Sequence, residues 1–143
     1  MTRNHTILAV LLLMMVAATA TANAQSDRSI TVKVPFDFVV ENQKLPAGEY
    51  RVQALHSDRS DRMLLRREGG GAVTTVFTLP VRTLDAASES KLVFKRYGSQ
   101  YFLSQIWMQS ADAGREVLIG RAEQEAAKAN GSKRLVVLAQ KQK

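Results

Sequence analysis

The chain has 143 residues, with 20 lysines and arginines against 13 acids, a net charge of +7 and no cysteine. That excludes a disulfide framework and any thiol-based metal or redox centre, and the length holds one domain. So basic a balance suits anionic partners.

Arg3 and His5 precede an unbroken apolar run from Ile7 to Ala18, and Ala20-Thr-Ala22 and Ala22-Asn-Ala24 offer small-x-small cleavage sites. This layout predicts a secretory signal peptide over residues 1–24, cut after Ala24, and a periplasmic or extracellular destination. As a helix the apolar run rises only about 18 Å, short of the roughly 30 Å hydrocarbon core. No transmembrane segment is therefore expected in the mature chain, whose charge is one less than the whole chain's because the signal carries Arg3 and no acid. Residues 25–28 read as a polar lead-in, 29–140 as a single β domain and 141–143 as a polar tail.

Ile30, Val32, Val34, Phe36, Phe38 and Val40 alternate with Thr31, Lys33 and Asp37, the period of two that a strand turns into one apolar and one wet face. Burying the first five is worth about 8–15 kcal/mol gross, an upper bound. Pro35 cannot donate to a ladder and points to an edge strand or bulge. Leu45-Pro-Ala-Gly48 suits a type I turn, after which Tyr50, Val52 and Ala54 resume the alternation as the second arm of a hairpin.

His56 to Arg62 reads as a polar loop, Met63 to Arg67 as a short strand, and Gly69-Gly-Gly71 as a break. In the strand from Ala72 to Arg82, Val73, Thr75, Phe77, Leu79 and Val81 share one side. Thr83 to Ser90 is a loop with room for a helical turn. Lys91–Tyr97 and Gln100–Met108 form a hairpin across Gly98-Ser99, for which a two-residue II′ turn is favoured over a three-residue loop. That register sets Arg96 opposite Tyr101 and Phe94 opposite Leu103. It places Leu92 and Trp107 on the same face, and Ile106 on the other with Lys91, Val93, Lys95, Tyr97 and Phe102.

Gln109 to Gly114 is a loop, and Val117-Leu-Ile119 can form a short strand. Arg121 to Asn130 is the one helical stretch, its apolar side mostly alanine, so it should lie thinly on a sheet or cap a barrel mouth. Asn130-Gly131 would stop it, and Leu135–Ala139 forms the last strand. The expected fold is all-β: about seven antiparallel strands as a small barrel or sandwich, with one short helix before the last strand. A barrel requires Leu135–Ala139 to pair with the strand around Val32. An outer-membrane barrel is disfavoured, since Lys33, Lys91 and Lys95 interrupt the candidate lipid faces.

No catalytic, metal or cofactor residues are assigned. His56 with Ser57, Asp58, Ser60 and Asp61 superficially resembles a triad, but neighbours in one loop cannot line up as a relay, and these are turn formers. Spaced histidines for zinc, calcium-loop spacing at Asp58 and Asp61, and a phosphate loop after Gly69-Gly-Gly71 are all missing. Acids alternate with bases, as in Asp37 with Lys33 and Glu49 with Arg51, which is the pattern of a solvated face rather than of a paired-carboxylate site.

The basic surplus, at Arg66-Arg67, Lys91, Lys95-Arg96 and Lys133-Arg134, is read as attraction to an anionic envelope component or a protein partner. Its competitor is protection of strand edges. Nucleic acid is not expected for an exported chain. Tyr97, Tyr101, Phe102 and Trp107 are either a stacking platform or core filling. The leading function is a non-enzymatic binding or scaffolding module of the cell envelope. The alternative is a carrier with an apolar cavity, and a carboxylate-based hydrolase comes third.

At Val34-Pro-Phe-Asp-Phe38, Leu45-Pro-Ala-Gly-Glu-Tyr50, Leu92-Val-Phe-Lys-Arg-Tyr-Gly98 and Tyr101-Phe-Leu103 the chain resembles a group of small exported bacterial proteins with no assigned activity. The resemblance runs from about Ile30 to Ala127. It implies a shared β fold behind a signal peptide and carries over no site residues.

Overall fold

The computed structural model describes residues 29–55, 61–84, 86–109, 111 and 113–140. The segments read as signal peptide, lead-in and tail, and His56 to Ser60 of the polar loop, lie outside them.

The described chain forms ten strands and one helix. The strands are β1 (Ser29–Val34), β2 (Phe38–Val40), β3 (Gln43–Leu45), β4 (Gly48–Ala54), β5 (Arg62–Arg67), β6 (Val73–Arg82), β7 (Lys91–Tyr97), β8 (Gln100–Trp107), β9 (Ala113–Val117) and β10 (Ser132–Leu138). The helix α1 (Arg121–Ala129) precedes the last strand. The fold is all-β, as expected, with more and shorter strands than the seven read from the pattern. No helix among the described residues is long and apolar enough to cross a membrane.

The first hairpin is real but interrupted. Ile30 pairs with Val52 and Val32 with Tyr50, so β1 and β4 are its two arms. The expected continuous strand through Val40 breaks at Pro35, and residues 35–47 instead carry the small β2–β3 hairpin. Two hydrogen bonds fasten this excursion: Ala47 N–H donates to Asp37 Oδ1 at 2.9 Å and the Tyr50 hydroxyl donates to Pro46 O at 2.6 Å. β2 then lies parallel to β8, Val39 beside Phe102, the one parallel pairing among the described strands.

The long strands follow one another as β1-β4-β5-β6-β9-β8-β7-β10. The sheet is not closed. Among the described residues β10 pairs with β7 and has no ladder with β1; the seam is crossed by one backbone bond, Gln140 N–H to Thr31 O at 2.8 Å. The pairing that a closed barrel requires is thus reduced to this backbone bond, with Leu135 and Val137 packed on the core that Ile30 and Val32 help form, and the architecture is an open barrel or sandwich. β10 pairs along its full length with β7, from Ser132 opposite Tyr97 to Leu138 opposite Lys91, and leaves its other edge towards β1 without a ladder.

A second discontinuity lies in β6. Its first half pairs with β5 and its second half with β9. Where β9 ends, side chains take over: Phe77 N–H donates to Glu41 Oε1 at 3.0 Å and the Thr74 hydroxyl bonds Gln43 Oε1 at 2.7 Å. Glu41 sits at φ 55°, a left-handed conformation costly for a residue with a Cβ, at the turn where its side chain accepts that Phe77 N–H. A Cβ at Gly120, just before α1, would run into the Glu41 carbonyl.

Between the walls the interior is filled. Tyr50, Phe38, Phe94, Leu92, Leu103 and Val32 are fully buried, with Phe38 edge-on to both Tyr50 and Phe94. Phe36, on the broken segment, packs against the same cluster and stacks on Tyr101 at 4.0 Å.

The β7–β8 hairpin has the expected two-residue turn. Gly98 takes φ 59° and Ser99 stays at negative φ, as a II′ turn requires. Arg96 faces Tyr101 and Phe94 faces Leu103, as predicted. Past Phe94 the register slips: a bulge leaves Ser104 unpaired, so Leu92 meets Ile106 and Trp107 turns to the outer side. The expectation that Trp107 shares a face with Leu92 is therefore overturned, because one extra residue inverts every side chain beyond it. Outside, Trp107 lies flat on Gly114, where an added Cβ would come 2.7 Å from the indole ring.

Candidate anion-binding surface

Strand alternation and antiparallel pairing together decide which cations become neighbours. Lys95-Arg96 on β7 and Lys133-Arg134 on β10 are far apart in sequence, yet β10 aligns Lys133 with Arg96 and Arg134 with Lys95. Each is a like-charge cross-strand pair, with Cβ atoms about 4.5–5.5 Å apart, a placement that disfavours the fold. Among the described residues one acid contacts this quartet: Glu123 Oε1 stands 3.9 Å from Lys95 Nζ. Arg96, Lys133 and Arg134 are exposed.

Arg96 is the most constrained of the four. Its Nε donates to Gly98 O at 2.7 Å and its guanidinium lies 5.6 Å from the centre of the Tyr101 ring. Lys133, Arg96 and Tyr101 thus form a row across β10, β7 and β8, two cations beside an aromatic face. A planar guanidinium held this way presents a fixed donor fork to carboxylate or phosphate oxygens.

The remaining basic residues separate. Arg67 is half-buried, with Nη2 donating to Ala47 O at 3.3 Å. Arg66 lies on the outer face of β5 opposite Val73, and Lys91 sits at the far end of β7 between Leu138 and Trp107. The aromatic platform does not assemble. Tyr97 and Phe102 are buried beneath α1, Trp107 is buried against Gly114, and Tyr101 alone is partly open.

One buried acid is not among the residues singled out in the sequence. Glu123, on the inward side of α1, is 5% exposed and accepts a hydrogen bond from the Tyr97 hydroxyl at 3.2 Å. Burial pushes its carboxyl above the usual range, and the nearby charge of Glu116 adds to this; Lys95 and the Tyr97 hydroxyl pull the other way. The pointer was present in the helix spacing, since Glu123 falls one and three residues from Ala122 and Ala126, which line the same face. Glu123 lies under a helix and not in a cleft. It therefore ties α1 to β7 rather than offering a reaction centre.

The helix itself is placed by the β2–β3 turn. Asn42 Oδ1 accepts the Ala122 N–H at 3.2 Å, doing from a distant turn what a side chain at Gly120 would ordinarily do for a helix start.

A cavity of about 730 Å³ opens at the β1–β10 seam, at the opposite end of β7 from the cations. Its walls carry Ser29, Ser88, Glu89, Ser90, Gln109 and Gln140 beside Ile30, Leu138 and Ala139. Among the described residues no cluster of three acids or histidines could hold a metal ion. The triad-like set of the polar loop lies outside the described residues except for Asp61. No family model, no curated protein and no solved structure matches the chain.

Proposed function

We propose that this protein is a non-enzymatic binding module of the cell envelope, exported by its N-terminal signal, that holds an anionic component through the cations of the β7–β10 ladder, Arg96 with Lys133 on one face and Lys95 with Arg134 on the other. The observation that carries the reading is the alignment of two like-charge pairs by the β7–β10 ladder, of which, among the described residues, only Lys95 meets an acid, Glu123. Edge protection alone would need one lysine on β10, not a matched pair on the strand inside it. The wall of the seam cavity also favours this reading over a carrier, because its serines, glutamines and glutamate suit water better than an apolar ligand.

Co-sedimentation with phosphatidylglycerol vesicles, and retention on an acidic polysaccharide, test it at low and high salt. Binding should appear in at least one arm at low salt, weaken as salt rises, and fall sharply in Lys133→Gln/Arg134→Gln. Vesicle binding alone identifies a lipid headgroup as the source of negative charge, and polysaccharide retention alone identifies the polymer. No binding in either arm at low salt defeats the proposal.

A further inference from the structure

The outer face of β6 is the least explained surface of the molecule. Val73, Phe77 and Leu79 point outward at 53%, 45% and 56% exposure, and Leu118, just past β9, adds another apolar side chain at 43%. Alternation makes this unavoidable once Val76 and Thr78 are buried inside. The flanks carry opposite charge. On the β5 side Arg62 is paired with Phe77 and its guanidinium sits 4.8 Å from the ring centre. On the β9 side Glu116 is paired with Leu79. Among the described residues neither Arg62 nor Glu116 has an ion-pair partner.

We infer that this face is the interface of a two-fold homodimer, formed by packing the β5–β6–β9 surface of one copy on that of another. The charge layout selects a second copy. With the two-fold axis running along β6 in the plane of contact, the partner's β5 comes to the β9 side of β6 and its β9 to the β5 side, each beside its own half of the strand. Each Arg62 then faces a Glu116 across the interface, twice by symmetry. The two residues differ in level by two strand positions, about 7 Å, which an arginine side chain spans. The apolar rows meet between them as in aligned sheet packing, about 10 Å apart. An acidic partner would leave Glu116 opposed by like charge, and an anionic bilayer would press it into the headgroups.

Sedimentation velocity of the purified protein across the micromolar range tests the inference. The expected result is a concentration-dependent dimer that Phe77→Asp/Leu79→Asp converts to monomer. Arg62→Glu should weaken it roughly tenfold through repulsion, and Arg62→Glu/Glu116→Arg should restore it, which a merely misfolded variant could not do. A monomer at every concentration overturns the inference. So does a dimer indifferent to the aspartate variant, or a monomer that binds vesicles through Phe77. These results leave the cation patch on β7 and β10 untouched, so the two proposals fail separately.

Discussion

The outer sides of β7–β8 and of β6 come from the same kind of sequence, apolar residues alternating along a strand, but the chain covers only one of them. Over Tyr97 and Phe102 it lays α1, sealing the contact with Ala126 and the Tyr97–Glu123 hydrogen bond. Over Phe77 and Leu79 it lays nothing that is described, and those side chains stay about half exposed. A helix of nine residues is long enough to shield one strip and is pinned where it is by Asn42, Gly120 and Glu123. The contrast teaches that outward apolar residues in this fold are of two kinds, those closed within the chain and those left for another surface.

The contrast can be broken most directly by truncating one ring on each side. Phe102→Ala should cost about 3–5 kcal/mol in urea unfolding, because it empties a sealed contact, whereas Phe77→Ala at high dilution should stay within about 0.5 kcal/mol. Equal losses would mean that both strips are structural. Next in size is Gly114→Ala. Its methyl would strike the indole of Trp107, and about 1–3 kcal/mol should be lost through overpacking.

Glu123 sharpens the covered side through pH. Its carboxyl titrates above the ordinary 4.5, so the folded chain holds this proton more tightly than the unfolded chain. Its contribution to stability is therefore complete below about the ordinary value and declines as pH rises through the raised one. Thermal midpoints should fall across that window in the native protein and change less in Glu123→Gln, which can still accept from Tyr97. The smallest expected effect is Lys133→Gln/Arg134→Gln. It should raise stability by about 0.2–1 kcal/mol by relieving the like-charge pairs, while lowering affinity for the anionic probe. A variant that loses stability would recast those cations as structural.

Much of the fold was legible. Local alternation identified β1, β4, β6 and the β7–β8 hairpin, since strand pattern and turn chemistry are written in neighbouring residues. The pairs Arg96–Tyr101 and Phe94–Leu103 followed from a two-residue turn alone. Other elements were hidden because they depend on contacts made far along the chain. The β2–β3 excursion looked like the continuation of one strand, and β9 was sought at Val117–Ile119 but lies at Ala113–Val117. There the apolar run misled: Leu118 and Ile119 are exposed, and Gly114 belongs to the strand because Trp107 needs a bare backbone beneath it.

The cations of the candidate site could be named from sequence, but not their pairing. Which strand would lie beside Lys95-Arg96 is a question of sheet order, and no local pattern encodes the meeting of β7 with β10.

By itself the sequence determined the element types and which side chains of each strand stand together, because a period of two is a property of the extended backbone. Tertiary structure alone decided which of those sides became inside. The Val73–Val81 row was correctly grouped, yet it is the outer one, since enclosing Val76 and Thr78 left it no other place. The bulge at Ser104 and the single bond across the β1–β10 seam were decided the same way, by the need to fit ten strands around one filled core.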